Sequence, residues 1–125
     1  MDITPLVPKD LQLIQGYGDR RFRVNGTSHE GSLLIFARRT LAWQVTRPED
    51  ITYELLMPVV EADEDIEVLL LGAGKVAYFL PKEVRESLRA KGIAIEVMDT
   101  GAACRTYNVL AMEERLVAAA LIAVE

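Results

Sequence analysis

Two β-rich runs, Ile66–Leu71 and Ile93–Met98, flank an amphipathic stretch that opens at Pro81, and this spacing constrains the fold more than any other feature of the chain. The first run, followed by Gly72, reads Ile-Glu-Val-Leu-Leu-Leu. Such continuous apolarity predicts a central strand covered on both faces. From Pro81, Val84 and Leu88 fall on one helical face while Lys82, Glu83, Arg85, Glu86 and Arg89 fall on the other, and Gly92 stands where a helix would end. Strand, helix and strand within about 35 residues predict two parallel neighbours joined by a right-handed crossover.

Upstream, residues 1–18 hold Pro5, Pro8, Gly16 and Gly18 around Leu-Gln-Leu-Ile-Gln, which predicts an irregular arm with one short extended piece. Phe22 and Val24 then alternate with Arg21 and Arg23 and run into Asn25-Gly26, a strong hairpin signal because both residues tolerate positive φ. The return arm crosses Gly31 and continues through Ser32–Phe36, and Leu41–Val45 supplies a third strand, giving an antiparallel meander. Thr46-Arg-Pro-Glu49 matches a capping box. The helix it would start has Ile51 and Leu55 inward, Asp50 and Glu54 outward, and a stop at Pro58. Ala62–Asp65 reads as a solvated acidic loop.

After Gly101 the chain contains neither glycine nor proline. That predicts one long C-terminal helix, capped by the short side-chain oxygen of Asp99 or Thr100. Leu110, Glu113 or Glu114, and Val117 keep helical spacing, and Val109, Met112, Leu116, Ala119, Ala120 and Ala123 form a second apolar face. The expected fold is a single α/β domain over residues 1–125. It has a mixed β-sheet with an N-terminal antiparallel meander, a parallel βαβ crossover and a long C-terminal helix packed on the sheet.

At 125 residues the chain can bury a core without disulfides or metal, and its one cysteine forms no internal disulfide, which suits a reducing compartment. The opening MDITPLVPKD lacks the basic and apolar regions of a secretory signal. The longest uninterrupted apolar segment, Leu116–Val124, is nine residues against the ~20 a spanning helix needs. A soluble, cytoplasmic protein is expected, with any membrane link made through a partner. Net charge is −5, and residues 48–125 alone carry fifteen acidic and seven basic groups, largely through the base-free run Glu49–Glu67. That balance argues against nucleic acid, and Arg20, Arg21, Arg23, Arg38 and Arg39 read as solvated strand faces.

The densest polar cluster is Thr100, Cys104, Arg105, Tyr107 and Asn108 at the start of the C-terminal helix. It has two readings. Either it receives an anion or a partner's carboxylate, with Arg105 as bidentate donor, Asn108 as two-way amide and Tyr107 as amphipathic contact. Or its polar groups tie down neighbouring backbone while Cys104 packs as a small hydrophobe. A rival function builds a small-molecule or redox site on Cys104 and Arg105, with Gly72 and Gly74 across from it. A cysteine hydrolase needs a base, and the sole histidine, His29, lies in the predicted hairpin.

Gly72-Ala-Gly74-Lys-Val-Ala77 matches a dinucleotide fingerprint, but Pro81 delays the helix by about seven residues, so the glycines read as a tight turn. Asp63-Glu-Asp65 lacks the glycine and distant glutamate of a calcium loop. Neither cofactor nor metal is expected, and no catalytic set is complete. A protein partner is expected, and an exposed sheet edge with Trp43 nearby leaves room for a homodimer.

The segment TGAACRTYNVLAMEERLVAAALI resembles the C-terminal motif of a family of small single-domain proteins of largely unknown function. That family includes a mitochondrial assembly factor for respiratory complex I (NADH:ubiquinone oxidoreductase) and an adipogenesis-associated protein with a Mth938-type domain. The likeness extends upstream through LLLGAGKVAYFLPKEVRESLRAKGIAIEVMDTGAA and, more loosely, to NGTSHEGSLLIF, where His29 stands in place of an aromatic. The resemblance implies an α/β fold and a non-enzymatic binding or assembly role, with respiratory complex subunits as partners.

Overall fold

A computed structural model describes residues 8–125. Strands β1 (Ile14–Gly18), β2 (Arg21–Val24) and β3 (Thr27–Glu30) form a small antiparallel sheet. Strands β4 (Leu33–Ile35), β5 (Thr40–Ala42), β6 (Val68–Gly72), β7 (Ala94–Met98) and β8 (Val117–Leu121) form a second sheet in the order β5-β4-β8-β6-β7. β6 runs parallel to both β7 and β8, and β4 pairs antiparallel with β5 and β8. The helices are α1 (Met57–Val60), α2 (Lys82–Arg89) and α3 (Thr100–Met112), preceded by 3-10 turns at Pro48–Asp50 and Glu54–Leu56.

The period-2 alternation of the large sheet divides the interior in two. Leu69, Leu71, Ala118, Ala120 and Ile122 face a core closed by Val84 and Leu88 of α2. Leu70, Ala119 and Leu121 face the other, closed by Ala103, Cys104, Tyr107 and Ala111 of α3 and by Phe22 and Val24 of the small sheet. The β6–α2–β7 unit forms where the spacing predicts it. Helix α2 begins directly after Pro81, and Gly92 takes φ +80° at its exit.

The C-terminal region departs from the expected long helix. α3 starts as predicted, with Asp99 Oδ1 accepting from the Ala102 N–H at 2.9 Å, but it ends at Met112. Val117–Leu121 is instead an interior strand, buried along its whole length between β4 and β6. The stop is a Schellman motif. Arg115 N–H donates to Leu110 O at 2.9 Å, Glu114 N–H to Ala111 O at 3.0 Å, and Glu114 takes φ +61° at the position glycine usually fills. Val109, Met112 and Leu116 therefore share no face with Ala119, Ala120 and Ala123.

Four upstream expectations also change. The return arm of the hairpin breaks at Gly31, φ +84°, so β3 stays in the small sheet while β4 enters the large one. The third strand of the meander comes from β1, in the stretch read as an irregular arm; the first seven residues of that arm lie outside the described residues. Thr46 and Glu49 form no capping box, because Arg47 is the residue before the turn and no side chain caps it. Pro58 sits in the first turn of α1 instead of ending a helix, a place where its missing N–H costs nothing.

Candidate functional site

The cluster at the start of α3 is brought together, and most of it faces inward. Thr100 is fully buried; its hydroxyl donates to Ile122 O at 2.8 Å and accepts from Gly74 N–H at 3.0 Å, so it locks the loop after β6 to the end of β8. Tyr107 is also buried, its hydroxyl 2.9 Å from Gln12 O and 3.1 Å from Phe36 O. Burial raises its pKa. Asn108 accepts from Ile14 N–H through Oδ1 and donates to Ile14 O through Nδ2, each at 2.8 Å. These three side chains satisfy backbone groups of other segments, as buried polar groups generally do.

Cys104 is buried in the same core, and desolvation pushes its thiol up to about 12, with the Arg105 charge opposing only in part. At neutral pH it is a thiol packed as a small hydrophobe, without the electropositive exposure that makes a reactive cysteine. His29 stands on β3 opposite Phe22. Among the described residues no group of three or more His, Cys, Asp or Glu could hold a metal ion, and no helix is long and apolar enough to cross a membrane.

Arg105 is the exposed member of the cluster. Its Nη1 lies 3.4 Å from the Tyr17 hydroxyl, with Gly101 beneath: a Cβ there would collide with that hydroxyl. Below Arg105, at spacings of four and three, follow Val109, 52 % exposed, and Met112, 51 % exposed. The outward face of α3 thus carries a cation and two apolar side chains, with half-exposed Tyr17 beside them. The 4-and-3 spacing was visible in the sequence, but the assumption of a helix running to the C-terminus turned this face toward the core. Trp43 goes the other way: it is buried and donates Nε1–H to Leu55 O at 2.8 Å, so it offers no contact surface.

The two glycines after β6 have packing roles. A Cβ on Gly72 would lie 3.0 Å from both Leu121 Cδ2 and Thr100 Cα, so the glycine lets α3 approach β6; Gly74 takes φ +96°. Helix α2 starts only at Lys82, which leaves no helix N-terminus at the glycines to hold a pyrophosphate. A cleft of about 350 Å3 opens beside this loop, with Ala73, Pro48, Val76 and Ile122 in its wall and Lys75 and Arg47 at its rim. Arg47 is engaged by Asp50 at 3.3 Å.

The profile of a family described as "Protein of unknown function (DUF498/DUF598)" matches residues 14–122. A Danio rerio protein named NADH dehydrogenase (ubiquinone) 1 alpha subcomplex assembly factor 3 is 42 % identical over 110 residues, covering 88 % of this chain and 63 % of that protein. The chain thus spans about three fifths of the assembly factors it matches; for the Homo sapiens protein of the same name the figures are 34 % identity and 59 % of its length. Among solved structures, one described as an outer membrane protein from Bartonella henselae superposes with a TM-score of 0.86 at 41 % identity, covering 94 % of this chain and 98 % of that one. A Bordetella pertussis protein described as a Mth938-like domain gives 0.82 at 31 % identity, covering 98 % and 92 %. The fold, the locked start of α3 and a profile match through the last strand agree: the chain belongs to the DUF498/DUF598 family.

Proposed function

We propose that this protein is a non-enzymatic protein-binding module that serves in the assembly of respiratory complex I, and that it docks a partner through the outward face of α3. One observation carries the docking surface. Arg105, Val109 and Met112 form an exposed row on a helix that buries Ala103, Cys104, Tyr107 and Ala111 in the core, while Thr100, Tyr107 and Asn108 hold that helix in place. A cation beside apolar contact area suits a partner surface, and Arg105, which pairs with no carboxylate among the described residues, can take one from a partner. The assembly role is supported by relatives bearing that name at 42 % and 34 % identity. A role without catalysis is supported by the burial of Cys104, the one candidate nucleophile the sequence singled out. Attachment to the inner membrane then runs through the docked partner.

The test is complementation. Deleting the gene lowers the amount of assembled complex I on native gels, and the wild-type chain restores it. An Arg105→Ala, Met112→Ala variant with an unchanged melting curve restores less and recovers fewer partners in pull-downs from native extract. Full assembly in the deletion strain overturns the assembly role, and full rescue by the variant overturns the α3 face as the docking surface.

A further inference from the structure

Among the described residues the most exposed large apolar side chain is Phe79, at 92 %, in the loop between β6 and α2, and Val76 in the same loop is 68 % exposed. Two clefts meet at Phe79. One is bounded by Lys75, Val76 and Met98, the other by Tyr78, Leu80, Arg85 and Glu96, and Val97 of β7 lies in both. Both therefore lie along β7, the last strand of the large sheet, which pairs only with β6 among the described residues.

Backbone parity says which groups that edge presents. Ala94 N–H donates toward β6, to Glu67 O at 2.9 Å, and Met98 O accepts from Ala73 N–H at 2.9 Å. In a parallel pair, residues two apart turn the same way, so Ile95 and Val97 turn their N–H and C=O groups outward. Arg85 Nη1 already occupies Ile95 O at 2.8 Å. Among the described residues, Ile95 N–H, Val97 N–H and Val97 O are left as a short open ladder beside Phe79. An open edge flanked by apolar surface is the arrangement used to bind an extended peptide as an added strand.

Side-chain chemistry on the two faces of β7 defines the occupant. Ile95 and Val97 pack with the α2 core, on the side where Tyr78 and Phe79 stand, whereas Glu96 is exposed on the opposite face. A strand laid on this edge would meet apolar surface on one face and a carboxylate on the other, and opposite charges across a strand pair are favourable. A second copy fits less well, because antiparallel β7–β7 pairing centred on Glu96 sets two carboxylates opposite each other. The net charge of −5 also favours a basic partner.

We propose that the outer edge of β7 receives an extended segment of a partner protein as a sixth strand, with apolar residues against Phe79 and Val97 alternating with a basic residue opposite Glu96. This rests on the reading of the chain as a protein-binding module. It places a second contact at the β7 edge of the large sheet, distinct from the exposed row on α3.

The experiment titrates the full chain with two synthetic peptides, acetyl-Val-Lys-Val-Lys-Val-amide and its Val-Glu-Val-Glu-Val counterpart, and follows backbone amides by NMR. Expected is saturable binding of the lysine peptide, with the Ile95 and Val97 amides shifting and exchanging more slowly. Phe79→Ala weakens it by about tenfold or more, and Glu96→Lys reverses the preference toward the glutamate peptide. Both side chains are exposed, and matched melting curves establish that both variants fold. No saturable binding, binding indifferent to both substitutions, or concentration-dependent self-association through β7 would each overturn the proposal. No complex I enters this measurement, so its failure leaves the assembly role to the complementation test.

Discussion

Asn108 of α3 holds both backbone groups of Ile14, 94 residues earlier, through two 2.8 Å hydrogen bonds. One carboxamide does for the first residue of β1 what a neighbouring strand would do, and so ties the small sheet to α3. Asn108→Ala leaves the Ile14 N–H and C=O partly buried without partners, so it is expected to cost about 1–3 kcal/mol. Urea unfolding should show a lower midpoint at unchanged slope, and the Ile14 amide should lose exchange protection before the core does. Asn108→Asp, which keeps the acceptor and removes the donor, should also destabilise, because its carboxylate faces the Ile14 carbonyl.

The end of α3 gives a prediction of the opposite sign. Glu114 takes φ +61° to close the Schellman motif, and a residue with a Cβ pays steric strain there that glycine does not. Glu114→Gly should therefore raise the thermal midpoint, with a gain of up to about 1 kcal/mol after the added freedom of the unfolded chain is subtracted. A lower midpoint would mean that the Glu114 side chain makes a contact worth more than the strain.

That same residue explains what the sequence concealed. The starts of α2 and α3 were legible because they carry side-chain chemistry, with Pro81 before α2 and Asp99 capping α3, whereas the Thr46–Glu49 pattern forms no cap. The hairpin at Asn25-Gly26 and the β6–α2–β7 unit were legible for the same reason. The end of α3 was not, since its left-handed residue is a glutamate, and Ala118–Ala120 are strong helix formers. They are a strand because pairing with β4 on one side and β6 on the other overrides propensity, which is a long-range effect with no local signature. The site was half legible. Thr100, Tyr107 and Asn108 stood out as polar residues in an apolar region, but their partners at Ile122, Gln12 and Ile14 come from segments that only the folded topology brings near.

The Gly-x-Gly pair separates two uses of glycine. At Gly72 an added methyl meets the Thr100 backbone and the Leu121 side chain at 3.0 Å, and helix and strand cannot both yield. Gly72→Ala should cost about 1–3 kcal/mol by overpacking. At Gly74 nothing lies within 4 Å of the added atom, but φ is +96°, so Gly74→Ala pays backbone strain of about 1 kcal/mol or more. Denaturation of the two variants should rank Gly72→Ala below Gly74→Ala. The reverse order would show that the loop, not the helix contact, limits stability here.

Alkaline pH should expose the buried acids of the α3 core. Burial lifts the Cys104 thiol from 9.0 to about 12 and raises the Tyr107 phenol as well, because the folded interior disfavours both anions. In the unfolded chain both groups ionise at their ordinary pKa values. Below about pH 8 the two states bind the same protons at these sites and stability is unaffected; as pH rises past 9 the unfolded state releases its protons first. Stability should then fall by at most about 1.4 kcal/mol per pH unit for each group. Cys104→Ala should flatten the part of that decline between pH 9 and 10, at the expense of a small packing loss at neutral pH. In the native protein Cys104 should react with a disulfide reagent at pH 7.5 only as fast as the chain opens, and at full speed in denaturant. Immediate labelling of the folded chain would place the thiol at the surface and return a reactive cysteine to consideration.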